Sequence, residues 1–139
     1  MIDANTSLLG LIGNPVAHSL SPLMHNQALE ATGCNAVYLA FCVSDPRAAI
    51  ESFKALNVKG LSVTLPHKVA VMEYLDDIDP TAAGIGAVNT IVHHNGRLIG
   101  YNTDCQGAIK ALQTRTTIDG KSVAIIGAGG AARAVGFGL

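Results

Sequence analysis

The sequence predicts an α/β fold. A mostly parallel sheet carries helices on both faces and is followed by the first strand, loop and helix of a Rossmann domain. Three observations predict it. Short apolar β-type runs alternate with helical patterns in the order βαβαβα, ending in a hairpin. A buried-strand pattern, Ser122 to Ile126, runs into Gly127-Ala128-Gly129-Gly130-Ala131-Ala132 and a helical stretch. The chain is 49% hydrophobic and only 14% charged, against a usual charged share of roughly 25%, which calls for extensive burial.

The elements follow in order. Leu8 to Gly13 reads as a strand. Ser21 to Thr32 reads as a helix with Leu23, Met24, Ala28, Leu29 and Ala31 on its apolar face. Ser21 is its N-cap, Pro22 its first-turn proline and Gly33 its terminator. Ala36 to Val43 is a second strand, and Asp45-Pro46 opens a helix to about Asn57. Gly60 to Leu65 is the third strand, with a helix over Val69 to Leu75 behind it. Asp79-Pro80 opens a short helix closed by Gly84 and Gly86. Ala87 to His93 and Arg97 to Tyr101 form a hairpin across Asn95-Gly96, a strong turn dipeptide. Cys105 to about Thr114 is helical, and Thr116 to Lys121 reads as a polar linker. The expected boundary therefore separates an α/β domain at 1–115 from an incomplete dinucleotide-binding start at 116–139.

Composition excludes several classes. A formal charge of −1, 4% aromatics and no Trp offer nothing to a nucleic acid or an anionic membrane. No apolar run reaches the ~20 residues that span a bilayer, and the first five residues lack the basic start of a secretory signal. Cys34, Cys42 and Cys105 have no CxxC spacing, so they read as reduced thiols of a cytoplasmic protein rather than a zinc site or disulfide frame. His93 and His94 are expected to face water. His25 and His67 are expected either to reach a cleft or to cap and pack, and no histidine spacing supports a metal site.

Chemistry concentrates at strand ends. Lys68 follows the run Leu61 to Leu65 directly, at the edge where α/β sheets bind ligands. Asn89, in Ala87-Val88-Asn89-Thr90, and Asp104, in Tyr101-Asn102-Thr103-Asp104, also adjoin apolar segments. A lysine, a carboxylate, an amide and hydroxyls that converge can hold a small polyol, and an ammonium beside a carboxylate can manage a substrate proton. Ser19 and Ser21, at a helix start, suit a carboxylate, helped by a dipole term of ~0.3–1 kcal/mol. In the glycine-rich loop, Gly127 permits a tight turn, Gly129 lets the backbone approach a pyrophosphate and Ala132 allows close helix–strand packing. The bland readings are a helix cap, a solvated lysine and a ligand-free glycine turn.

Taken together, these motifs resemble the shikimate dehydrogenase family from about Leu9 onward. The resemblance rests on Gly13-Asn14-Pro15 through His18-Ser19-Leu20-Ser21-Pro22 to His25-Asn26, on Ser62-Val63-Thr64-Leu65-Pro66-His67-Lys68, on Gly86 to Thr90, on Asn102 to Asp104 and on Gly127 to Ala134. It implies reversible NADP-dependent reduction of 3-dehydroshikimate to shikimate, a step in aromatic amino acid biosynthesis. It further implies that Ser19 and Ser21 hold the substrate carboxylate and that Ser62, Thr64, Lys68, Asn89 and Asp104 hold its ring hydroxyls. Lys68 with Asp104 would be the catalytic pair, and Gly127, Ala128, Gly129, Gly130 and Ala131 would hold the cofactor. Ser62 stands where many members carry Asn, which bears on quinate discrimination. The partner implied is the small-molecule substrate, with homodimer formation left open. The resemblance also implies that this chain is part of a longer protein and inactive alone. Two alternatives stand beside it: a quinate/shikimate dehydrogenase with broader substrate or NAD use, and a non-catalytic module that binds a hydroxylated carboxylate.

Overall fold

A computed structural model describes residues 2–139. Strand β1 (Ser7–Gly13) leads to helix α1 (Ser21–Ala31), then β2 (Ala36–Cys42) and α2 (Pro46–Ala55). β3 (Gly60–Val63) is followed by a single 3-10 helix (Ala70–Tyr74), β4 (Asp77–Ile78) and α3 (Pro80–Ile85). The hairpin β5 (Thr90–His94) and β6 (Arg97–Tyr101) leads into α4 (Asp104–Gln113), and α5 (Gly130–Gly138) closes the chain. Among the described residues no helix is long and apolar enough to cross a membrane.

Local chemistry explains most of the boundaries. Asp45 caps α2 by accepting from the N–H groups of Arg47 and Ala48, and Pro46 takes the first helical position. Asp79 caps α3 the same way through Thr81 N–H, and Gly86, at φ 70°, ends it in the left-handed conformation that glycine adopts without penalty. Asn95 and Gly96, at φ 50° and 76°, make the hairpin turn.

The six strands lie in the order β2-β1-β3-β5-β6-β4. β1 pairs parallel with β2 and β3, and β4 parallel with β6, while β5 runs antiparallel to β3 and β6. Neighbouring residues on β1 therefore serve opposite faces. Leu11 joins Val16 and Tyr38 beneath α1, together with Leu9 and Leu29. Ile12 joins Ile50 and Phe53 of α2, with Val58, Leu61, Val63, Val71, Ile91 and Leu98. Ile12, Ile50, Ile91 and Leu98 are almost wholly buried, and each such side chain contributes about 1.5–3 kcal/mol. A third, small cluster of Ile85, Ala87, Cys105 and Ala134 seats α5 on α3 and α4.

The fold departs most from expectation in three places, besides a hairpin strand that starts at Thr90 rather than Ala87 and a helix α3 that runs through Gly84 to Ile85. Residues Ser122 to Ile126 form no strand and join no sheet. Strand geometry is held by ladder partners, and no strand lies beside this segment among the described residues; Val123, Ile125 and Ile126 are exposed. The helix expected over Val69 to Leu75 is a 3-10 helix of five residues. β4, only two residues long, was not expected; it exists through its parallel pairing with Ile99 and Gly100.

Topology alone gathers the polar motifs. β1 and β3 end together, with Ile12 opposite Val63. β5 runs the other way and starts at that edge, with Thr90 opposite Ser62 and Tyr101. β6 returns to it at Tyr101, and α4 starts at Asp104. Lys68, Asn89 and Asp104 are thus brought to a single rim.

Candidate active site

At that rim, Lys68 Nζ donates to Asp104 Oδ2 at 2.5 Å. Asn89 Nδ2 donates to Asp104 Oδ1 and to Thr103 Oγ1, each at 2.8 Å. The Asn89 carbonyl oxygen accepts from Thr103 N–H at 3.0 Å and from Thr90 Oγ1 at 2.8 Å. The side chains of Lys68 and Asp104 retain 18% and 29% of their exposure, so the pair is sheltered yet open to a ligand. Behind it, buried Asn102 accepts from Asp104 N–H at 2.9 Å and donates to Ala87 O at 2.8 Å. Val88 N–H donates to Lys68 O at 2.8 Å. The bonds that Lys68 and Asn89 make to the Asp104 carboxylate are charge-assisted, a class worth about 1.5–3 kcal/mol each.

A cleft of about 740 Å³ opens in front of this network. Ser19, Ser21, Ser62, Thr64, Lys68, Asn89 and Asp104 all line it, together with Thr90, Thr103, His18 and His25. Every side chain expected at the polyol and carboxylate seats therefore meets one cavity. The capping roles are reversed, however. Ser21 is the first residue of α1, and Ser19 Oγ accepts from Ser21 N–H at 3.2 Å. Ser19, not Ser21, satisfies an orphan donor of the helix start, and its remaining proton is free to donate.

Sequence reasoning missed Tyr38. Its hydroxyl donates to Ser62 Oγ at 2.7 Å. The ring stacks on His25 with centroids 4.2 Å apart, and Asn26 grips the Tyr38 backbone with two bonds, Nδ2 to O at 2.8 Å and N–H to Oδ1 at 2.9 Å. Burial pushes the phenol's pKa up while the Ser62 bond opposes it, so the hydroxyl stays a donor at neutral pH. Ser62 can then turn its own proton toward the cleft. The histidines sort differently from one another. His25 reaches the cleft, whereas His67 is buried, with Nε2 2.7 Å from Val43 O, and packs. His93 does not face water: it is half-buried, with Nδ1 3.1 Å from Val58 O.

A second cavity, about 530 Å³, lies between the β3 strand end and the glycine-rich loop. Thr64, Leu65, Pro66, Lys68 and Val69 line one side; Ile126, Gly127, Gly129, Gly130, Ala131 and Ala132 line the other. Gly127, at φ 121°, turns the chain as only glycine does readily. A Cβ on Gly129 would meet nothing within 4 Å, so the loop leaves space where a pyrophosphate would lie at the start of α5. Ala128 does not line this cavity. Lys68, Thr64 and Leu65 border both cavities. The chain therefore offers a polar pocket and a loop suited to a dinucleotide, with one lysine between them.

The shikimate dehydrogenase substrate binding domain matches residues 11–91, more than half of the chain. The chain belongs to the shikimate dehydrogenase family. It is 55% identical over 136 residues to a protein named shikimate dehydrogenase (NADP(+)) from Bacillus cereus strain G9842, covering 95% of this chain and 49% of that protein. A crystal structure of a shikimate dehydrogenase in complex with NADP+ superposes with a TM-score of 0.93 at 51% identity, covering 100% of this chain and 50% of that one. The shikimate dehydrogenase of Aquifex aeolicus gives 0.95 at 48% identity, covering 100% and 53%. The chain thus spans about half the length of the curated relatives it matches. The α/β fold of the family is the fold described above.

Proposed function

We propose that this chain forms the substrate-binding and catalytic part of an NADP-dependent shikimate dehydrogenase, which reduces 3-dehydroshikimate reversibly to shikimate. The observation that carries the reading is Lys68, paired to Asp104 and standing between a hydroxyl-lined cleft and a glycine-rich loop. Residues 1–115 are read as the substrate domain and 116–139 as the opening of the nucleotide domain. The names of the relatives and the NADP+ complex support the choice of cofactor. Free thiols at Cys34, Cys42 and Cys105 accord with a cytoplasmic protein.

In this reading Ser19 and Ser21 donate to the substrate carboxylate. Ser62, Thr64, Asn89 and Asp104 receive the ring hydroxyls. Gly127, Ala128, Gly129, Gly130 and Ala131 hold the dinucleotide, whose nicotinamide supplies the hydride when bound. Lys68 Nζ holds the oxygen of the reacting carbon and gives it a proton as the ketone becomes an alcohol; in the reverse direction it takes that proton back. Asp104 keeps the ammonium aimed, and Asn89 keeps Asp104 aimed.

The test is shikimate-dependent NADP reduction by the full-length protein and its Lys68→Ala variant. General acid–base loss predicts a fall in kcat of about 10²–10⁴-fold, with shikimate binding weakened much less. Loss of binding with no rate to lose in the parent would instead indicate a non-catalytic hydroxy-carboxylate module. Ser62 favours one further reading, a dehydrogenase that also accepts quinate, because its side chain is short and already engaged by Tyr38. Rates on quinate and shikimate with both nucleotides separate the two.

A further inference from the structure

The three glycines that line the second cavity meet different demands. Gly127 is required by its backbone, at φ 121°. Gly129 has an ordinary extended backbone, φ −76° and ψ −178°, and open space around it. Gly130 fits neither description. It begins α5 and has no positive φ, so an alanine there would satisfy the helix. Yet a Cβ on Gly130 would stand 3.0 Å from Lys68 Cβ, 3.2 Å from Lys68 Cδ and 3.3 Å from Ala87 Cβ. Carbon atoms at rest lie about 3.5–4.0 Å apart.

Something would have to move, and most of the surroundings are held. Ala87 is fully buried, locked with Ile85, Cys105 and Ala134. The backbone of Lys68 is tied by the bond from Val88 N–H, and Val88 is also fully buried. α5 is anchored by Ala134 and by Arg133 Nη1 donating to Gly86 O at 3.2 Å. Of the three contacts, only that with Lys68 Cδ can be relieved by rotating the side chain; relief at Lys68 Cβ needs the lysine backbone and the start of α5 to part by a few tenths of an ångström, and either movement carries the lysine head with it.

We infer that Gly130 is a positioning residue for Lys68: its bare Cα lets the lysine stem lie along the loop and so reach Asp104. The inference rests on the functional reading above and deepens it. It gives this glycine a task on the substrate side of the cleft, separate from any contact with phosphate.

Nucleotide-free binding isolates that task. In the full-length protein, shikimate affinity is measured by calorimetry without NADP for the parent, Gly130→Ala and Gly129→Ala. Gly130→Ala is expected to weaken shikimate binding about tenfold and to lower kcat at least as much, the scale expected when a reacting group is displaced by a fraction of 1 Å. Nucleotide-free shikimate affinity is the deciding quantity for this variant, because Gly130 also lines the cavity assigned to the dinucleotide. Gly129→Ala is expected to weaken NADP binding and spare nucleotide-free shikimate binding. Adding Ala87→Gly to Gly130→Ala opens room beside the new carbon and is expected to recover part of the lost affinity. If the single variant folds poorly, the double variant is compared with the parent in its place. Unchanged shikimate affinity and kcat in Gly130→Ala would overturn the inference. A parent that binds no shikimate would overturn the functional reading instead. The NMR signal of the Lys68 ε-methylene, assigned through Lys68→Arg, then decides: a shift in Gly130→Ala supports displacement, and an identical signal refutes it.

Discussion

Ser62 depends on a residue 24 positions upstream. The Tyr38 hydroxyl occupies one acceptor site of Ser62 Oγ, which leaves the serine proton for a ligand. Removing that hydroxyl with Tyr38→Phe keeps the ring on His25 but frees Ser62 to turn. One neutral hydrogen bond is worth about 0.5–1.5 kcal/mol, so the shikimate KM of the full-length protein should rise about threefold to tenfold with kcat nearly unchanged. Steady-state kinetics at saturating nucleotide check this. At this scale the sequence was a partial guide. Lys68, Asn89 and Asp104 were legible because each abuts an apolar run at a strand or helix boundary. Tyr38 was not, because its partner lies two strands away across β1, and its ring looks like any aromatic in a strand. The exchange of roles between Ser19 and Ser21 was hidden for a subtler reason: both are good caps by residue type, and only the entry angle of the chain decides which hydroxyl meets an N–H.

Elements are joined by a few carboxylates. Asp45 Oδ1 accepts from two N–H groups at the start of α2, at 2.9 and 3.2 Å. Asp45→Ala should cost about 1 kcal/mol, seen as a lower urea midpoint with an unchanged slope. Asp76, just before β4, ties α2 to β6. Both its oxygens accept from Lys54 Nζ of α2, at 2.7 and 2.8 Å, and one also accepts from Leu98 N–H of β6 at 2.7 Å. Lys54 first, and then the Leu98 N–H, hold the Asp76 pKa below its ordinary value. A carboxylate with a lowered folded pKa contributes stability above its unfolded pKa and loses it as pH falls through the folded value. Asp76→Asn should therefore be less stable than the parent at pH 7, and the two melting curves should converge below about pH 4. The strands β1, β2, β3 and β6 were readable as apolar runs bounded by turn residues. β4 was not, since Asp77 and Ile78 carry no pattern and are held by the neighbouring strand alone. Ser122 to Ile126 misled in the opposite sense, because an apolar pattern states a preference that only a partner strand can satisfy.

At the scale of the molecule, the main cluster and the one beneath α1 lie entirely within residues 8–98. The stretch from Thr114 to Gly129 contains no helix or strand and is almost wholly exposed. Brief trypsin treatment of the 139-residue chain should cut after Arg115 and Lys121 before any site in the preceding sheet domain, a result read by mass spectrometry. Asn26 has a consequence beyond the pocket. β2 is an outer strand, and at Tyr38 both outward-facing backbone groups are already taken by the Asn26 amide. An intruding chain that tried to extend the sheet past β2 would find that rung occupied. The same amide that steadies a tyrosine thus guards the molecule against polymerising through its own flank.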